Sequence, residues 1–392
     1  MHNIVTIFGT RPEAIKMAPV VHQLRQWPND FRTTVVVTAQ HREMLDQVLS
    51  LFDIQPDYDL DIMRPNQTLF DVTTRALMGL QSVLQETKPD MVLVQGDTTT
   101  AFVAALAAYY LKIPVGHVEA GLRTYDKYQP FPEEINRSLI SVIADLHFAP
   151  TEPARQNLLH AGIVPERISV TGNTVIDALL SQVRPDYQFE QPPLRDLDFA
   201  QRRVILVTAH RRENFGEPMR HICQALHQIV EADATVEIVF AVHRNPNVRA
   251  EVETILRDVP RIHLLDPLEY LPFVQVMSRA HLILTDSGGV QEEAPSLGVP
   301  VLVLRNVTER PEGVAAGTLR LVGTDPHQIT SAALHLLTDQ AAYQRMAQAA
   351  NPYGDGLASQ RIIETLGAFL AGGETALAAL NRQKLELALL PN

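Results

Sequence analysis

Short runs made almost wholly of Val, Ile and Leu recur along the chain, each followed by a longer stretch with helical spacing. Strands buried on both faces read this way, whereas half-exposed strands alternate apolar and polar positions. The pattern predicts parallel strands over Ile4–Phe8, Thr34–Thr38, Met91–Val94, Val115–Val118 and Leu146–Ala149. It restarts at Arg203–Thr208 and continues through Glu237–Val242, His263–Leu265, the run from Leu282 and Val299–Leu304. Strands alternating with helices predict an α/β fold, here two Rossmann-like doubly wound domains. A helix at about Val175 to Val183 precedes the polar, proline-rich stretch Arg184–Pro193, which reads as an exposed connection. The expected division is 1–172, 173–365 and a C-terminal extension 366–392.

Length supports that division, since 392 residues exceed the roughly 250–300 at which one core stops growing. A hydrophobic content of 46% with 20% charged residues belongs to folded globular chains. The net charge of −12 argues against a nucleic-acid partner. Cys223 is the single cysteine, so neither an internal disulfide nor a cysteine metal cluster is possible, and the cytosol is the expected location. The apolar run around Ala101 to Leu111 falls short of the ~20 residues of a bilayer span, so no membrane segment is expected. No HExxH or paired Cys/His spacing points to a metal, and no G-x-G-x-x-G follows a strand, so no cofactor is expected.

In open α/β sheets ligands sit beyond the carboxyl ends of the strands, and the residues with chemistry cluster there. The apolar run from Leu282 ends in Asp286-Ser287-Gly288-Gly289, with a helix-compatible segment after it. Such a turn lets a diphosphate approach backbone N–H groups, and Glu293 beyond it is placed for the hydroxyls of a ribose, although a plain strand-to-helix turn uses the same residues. Gly9-Thr10-Arg11-Pro12-Glu13 brings Arg11 and Lys16 to the edge of the first sheet. Asp97 in Gly96-Asp97-Thr98-Thr99 and Glu119 in Glu119-Ala120-Gly121 stand at equivalent strand ends, with a helix N-cap the alternative for Asp97. Glu133 and Glu134 open a probable helix, where acidic residues also simply favour the dipole. His210-Arg211-Arg212 offers an imidazole beside guanidinium groups, suited to proton transfer near neutral pH.

Taken together, GTRPEAIK, GDTTT, HVEAGLRT, PEE-NR, TGNTVIDAL, HRREN, TDSGGVQEEAPSLG and TERPEG, in this order from about Ile4 to Gly356, strongly resemble the non-hydrolysing UDP-N-acetylglucosamine 2-epimerases. The resemblance implies two Rossmann-like domains facing a cleft, the glycosyltransferase-B arrangement, with the last helices crossing back to the first domain. It implies interconversion of UDP-GlcNAc and UDP-ManNAc through a 2-acetamidoglucal, with ManNAc units going to cell-surface polysaccharide, and a homodimer. Asp97, Glu119, Glu133 and His210 match the family's catalytic positions. Arg11 and Lys16 line the reaction centre; Ser287, Gly288, Gly289, Glu293 and Arg310 hold UDP, with Leu268 to Phe273 at the uracil. Gln40, His41, Gln67, Glu134, Arg211 and His243 match a site where bacterial relatives bind a second UDP-GlcNAc as activator. Gln95 departs from the His that many relatives carry before Gly-Asp. A retaining glycosyltransferase on the same scaffold, a hydrolysing epimerase and a nucleotide-sugar sensor without turnover are the competing readings.

Overall fold

The computed structural model describes residues 1–39 and 42–388. Among them the apolar runs build two parallel sheets. The first holds β1 (His2–Phe8), β2 (Phe31–Val37), β3 (Tyr58–Asp59), β4 (Met91–Gln95), β5 (Val115–Val118), β6 (Leu146–Ala149) and β7 (Ile168–Val170), in the order β3-β2-β1-β4-β5-β6-β7. The second holds β8 (Arg203–Thr208), β9 (Val236–Ala241), β10 (Ile262–Leu265), β11 (Leu282–Thr285), β12 (Val301–Val303) and β13 (Leu319–Leu321), in the order β10-β9-β8-β11-β12-β13. Ile4, Val5, Ile7 and Phe8 of β1 and Val204 to Val207 of β8 are all fully buried, as strands covered by helices on both faces must be. In each sheet the direction of winding reverses between a strand and its parallel neighbour, β1 beside β4 and β8 beside β11. Those are the switch points beyond which α/β sheets bind ligands. The GTRPE and GDTTT segments leave the first, and the HRREN and SGG segments leave the second.

The chain forms two units, Met1–Ala178 with the chain from Gly354 onward, and Leu179–Tyr353. The helix Thr174–Gln182 contains the first boundary. The returning chain is fastened to the first unit by Asp177, whose Oδ1 accepts from Ser359 N–H at 2.7 Å and from the Ser359 hydroxyl at 2.6 Å. The helix Ala358–Ala388 then packs on the helix Arg11–Arg25, burying Ile362, Ile363 and Leu366. It runs on past Leu366 with a break in helical geometry at Gly372 and Gly373. Its stretch Ala358–Leu380 is long and apolar enough by composition to cross a bilayer, yet the face with Leu366 and Leu377 is spent on this unit, and Glu374 pairs with Arg167 at 2.7 Å.

Arg184–Pro193 is largely exposed, as expected of a connection. It lies within the second unit, with Phe189 buried in that core and Arg279 donating to the carbonyls of Arg184, Pro185 and Tyr187. Phe189, with Tyr187 half-buried beside it, anchors an otherwise exposed stretch. β3, β7 and β13 were not anticipated; each is two or three residues long at a sheet edge, too short to show a pattern.

Candidate active site

At the switch point of the first sheet, Gly9 ends β1 where no side chain fits: a Cβ would lie 2.1 Å from Thr38 Oγ1 and 2.7 Å from Thr100 Oγ1. The chain enters the helix Arg11–Arg25 through a capping box, Thr10 accepting from Glu13 N–H while Glu13 Oε2 accepts from Gly9 and Thr10 N–H at 3.1 and 2.8 Å. Glu13 Oε1 accepts from the Thr98 hydroxyl at 2.6 Å, tying this turn to the one after β4. Burial raises the pKa of Glu13. Arg11 is exposed at the helix start. Lys16, on the inner side of the same helix, places Nζ 2.7 Å from both oxygens of Glu119.

Glu119 is the most constrained of the predicted residues. Its φ of +62° is a left-handed conformation that costs a non-glycine residue on the order of 1–3 kcal/mol, and such positions persist where surrounding contacts fix them. Here Lys16 takes both carboxylate oxygens, the Gln95 amide donates to Oε2, and the Arg137 guanidinium donates to the backbone carbonyl. Asp97 is not the helix cap; Thr98 is, accepting from Ala101 N–H at 3.0 Å. Asp97 Oδ2 instead pairs with Arg137 Nη2 at 2.5 Å, and Asn136 Nδ2 donates to the Asp97 carbonyl at 2.9 Å. Arg137 therefore clamps both strand ends at once. Beneath it His117, buried on β5, meets the Gly96 carbonyl at 2.7 Å, and burial pushes its pKa well below the usual imidazole value.

Glu133 and Glu134, adjacent at the start of the helix Glu133–Ile143, diverge in use. Glu134 is buried and spends its oxygens on Arg123 at 2.7 Å and on the N–H groups of Thr124 and Tyr125, which fixes the loop after β5. The loop N–H groups and Arg123 lower its pKa against the effect of burial. Glu133 Oε2 is buried and accepts no hydrogen bond among the described residues. Gln67 is half-buried and accepts from Arg64 N–H at 3.1 Å. Gln40 and His41 lie outside the described residues.

At the switch point of the second sheet the organiser is Asp286, fully buried after β11. Its Oδ2 accepts from the N–H groups of His210 and Arg211, each at 2.8 Å, and from Asn214 Nδ2 at 2.9 Å. Its Oδ1 faces His210 Nδ1 at 3.3 Å. The His243 ring stacks on His210, centroids 5.6 Å apart. Burial lowers the His210 pKa; Asp286 opposes this, and Arg211 and His243 add to it, so the ring is neutral near pH 7.

Beside it lies the glycine turn. A Cβ on Gly288 would stand 3.5 Å from Arg310 Nη2 and 3.6 Å from Arg211 Nη2, so two guanidinium groups converge on one bare backbone position. Arg310 is oriented by Glu292 through its Nε and by its own N–H donating to Thr308 Oγ1 at 3.1 Å. Arg211 has Glu309 at 3.9 Å. Ser287 precedes the short helix Gly288–Glu293, which includes Gly289, and makes no side-chain cap. Glu293 is buried near Tyr270, whose phenol is pushed up by burial and by that carboxylate. Leu268 and Phe273 pack half-buried on the second unit's core.

The structure thus joins Lys16, Glu119 and Asp97 through Gln95 and Arg137 in the first unit. In the second it joins His210 and His243, and brings Arg211, expected in an activator site, to Arg310 at Gly288. Arg137, Asp286 and Glu292 were not singled out from sequence. Asp286 had a signal available: like Glu119, it is a carboxylate directly at the end of a wholly apolar run, where it must be partnered.

A family model described as UDP-N-acetylglucosamine 2-epimerase matches residues 23–367. The chain is 58% identical over 371 residues to a UDP-N-acetylglucosamine 2-epimerase of Yersinia pestis, covering 93% of this chain and 98% of that protein. It is 56% identical over 376 residues to that of Escherichia coli K12, with the same coverage of both chains. The crystal structure of UDP-GlcNAc 2-epimerase from Neisseria meningitidis bound to UDP-GlcNAc superposes with a TM-score of 0.79 at 52% identity, covering 93% of this chain and 99% of that one. The chain belongs to the UDP-N-acetylglucosamine 2-epimerase family, a family of isomerases.

Proposed function

We propose that the chain epimerises C2 of UDP-N-acetylglucosamine reversibly, giving UDP-N-acetylmannosamine without hydrolysis. The C2 proton is hardly acidic, because no carbonyl adjoins that carbon. Its removal is therefore linked to departure of UDP from C1. Elimination yields 2-acetamidoglucal and UDP; re-addition of UDP to C1, with a proton returned to the opposite face of C2, completes the reaction. The observation that carries the reading is the convergence of Arg211 and Arg310 on Gly288, since expulsion of UDP demands cations at the diphosphate. In this scheme Ser287, Gly288, Gly289 and Arg310 hold the diphosphate, Glu293 the ribose, and Leu268 with Phe273 the uracil, while Arg11 and Lys16 serve the reaction centre.

Proton handling falls to groups with an open atom. Glu119 is engaged at both oxygens by Lys16 and Gln95, so its part is to hold Lys16 and the local charge. Asp97, Glu133 and the neutral ring of His210 are left to move protons. UDP-GlcNAc is also proposed as activator, through Gln67, Arg211 and His243; Glu134 takes part by fixing its loop. Starting from pure UDP-ManNAc, progress curves then show a lag that a trace of UDP-GlcNAc removes, whereas linear progress excludes the activator role. A cytoplasmic homodimer supplying ManNAc units for cell-surface polysaccharide completes the proposal. Exposed Phe70 and Met78 on the helix Leu69–Thr87, and Ile135, Leu139 and Val142 on Glu133–Ile143, offer apolar surface to a second copy.

The test is incubation with UDP-GlcNAc alone. The proposal expects a stable mixture of UDP-GlcNAc and UDP-ManNAc with no acceptor present. Free ManNAc accumulating in step with UDP would mark a hydrolysing enzyme, and an unchanged sugar a transferase or a sensor.

A further inference from the structure

Asp286 ends an apolar strand in a fully buried position, where an ionised carboxylate is costly unless its partners are fixed. One oxygen is fixed: Oδ2 takes three N–H donors, from His210, Arg211 and Asn214, at 2.8, 2.8 and 2.9 Å. The other, Oδ1, accepts no hydrogen bond of good geometry and faces the Nδ1 atom of His210 at 3.3 Å. Three donors on one side set the plane of the carboxylate, so Oδ1 cannot turn elsewhere. Contacts of this kind are often long without substrate and tighten in the complex.

We infer that Asp286 is a positioning residue for His210: it holds the imidazole as the Nδ1–H tautomer and leaves Nε2 as the atom that exchanges a proton with substrate. The inference rests on the assignment of His210 to proton handling. It also explains why the His-Arg loop and the glycine turn share one residue. Asp286 immediately precedes Ser287-Gly288-Gly289, so the carboxylate that orients the base is attached to the backbone proposed to meet the diphosphate.

The asparagine variant is informative because the three donors decide how it sits. In Asp286→Asn the amide oxygen must take the Oδ2 position to accept from His210, Arg211 and Asn214. That leaves the NH2 group facing His210 Nδ1, which can then only accept. The ring is driven to the Nε2–H tautomer, and its proton-accepting atom is turned away from substrate. The charged and titratable neighbours of the ring are Asp286, Arg211 and His243. Of these only Asp286 favours imidazolium, so its loss shifts the acid limb of kcat/KM to lower pH.

Four measurements test this. Asp286→Asn is expected to lower kcat by ~10²–10⁴-fold, the scale of losing the tautomer in a His–Asp arrangement, with UDP affinity within about threefold of wild type. In a His210→Gln background the same substitution is expected to change kcat by less than about threefold, because the two residues act as a unit. Nitrogen-15 NMR of histidine-labelled protein should show His210 as Nδ1–H in the wild type and Nε2–H in the variant. The wild-type spectrum keeps the test open even if the variant folds poorly. Wild-type kcat in Asp286→Asn, an undiminished loss in the His210→Gln background, or an Nε2–H tautomer in the wild type would each overturn the inference. Full activity of His210→Gln alone marks instead a failure of the His210 assignment, and the tautomer readout then decides whether Asp286 sets the ring at all.

Discussion

The two switch points solve opposite electrostatic problems. In the first unit side-chain cations hold the candidate carboxylates: Lys16 on buried Glu119, Arg123 on buried Glu134 and Arg137 on half-buried Asp97. In the second unit two guanidinium groups crowd one glycine, while the buried carboxylate Asp286 is held by backbone N–H groups and Asn214. The first arrangement fixes the positions of acids and bases without leaving net charge. The second gathers two guanidinium groups, each beside a carboxylate, Glu292 or Glu309, at one bare backbone position, which suits a diphosphate. Stability should therefore be sensitive to single cations in the first unit, and ligand affinity to single cations in the second.

The largest expected effect is on Arg137. Arg137→Met removes the partner of Asp97 and of the Glu119 carbonyl together. It should destabilise the first unit by about 3–4 kcal/mol, toward the lower end for a broken buried pair because Asp97 is partly exposed. Urea denaturation followed by Trp27, the single tryptophan and a residue of the first unit, reads this directly. A loss below about 1 kcal/mol would mean that the clamp is dispensable.

A second effect sharpens the contrast through pH. His147 on β6 is paired in register with His117 on β5, and burial pushes its pKa down to about 4. The unfolded chain takes up a proton near pH 6.5 that the folded unit refuses. Stability is therefore whole above about pH 6.5 and falls as pH drops, by about 3 kcal/mol at pH 4 from this residue. Urea midpoints measured from pH 7 to 4.5 should decline in the wild type and decline less in His147→Leu.

Next come the acids. Asp97→Asn, Glu119→Gln and Glu133→Gln should each lower kcat by at least ~10²-fold with little change in UDP affinity. Full activity in all three would dissolve the distinction between the two units. The smallest expected effect is at the cradle. Gly288→Val fills the space under two guanidinium groups and Arg310→Ala removes one of them, so each should weaken UDP binding by ~1.5–3 kcal/mol in calorimetric titration while the fold persists. Unchanged affinity would move the nucleotide elsewhere.

The two sheets were legible because fully buried parallel strands write continuous apolar runs, and the order of motifs reached the family. The partners of the site residues were less legible. Arg137 lies four residues after Glu133 on one helix face, yet its targets stand 40 and 18 positions earlier, a relation that only the sheet creates. Asp97 read as a possible helix cap because Thr98 offers the same chemistry one position later. The pair Glu133-Glu134 reads as one acidic helix start, and only the packing of the loop after β5 tells the anchor from the open carboxylate.

The most direct measurement is proton NMR of UDP-GlcNAc with the enzyme in D2O. If acids of the first unit exchange the C2 proton while UDP departs, each UDP-ManNAc formed carries deuterium at C2, and the UDP-GlcNAc pool acquires it as the reaction approaches equilibrium. UDP-ManNAc that keeps protium at C2 would contradict proton removal at that carbon, and with it the part given to Asp97, Glu133 and His210.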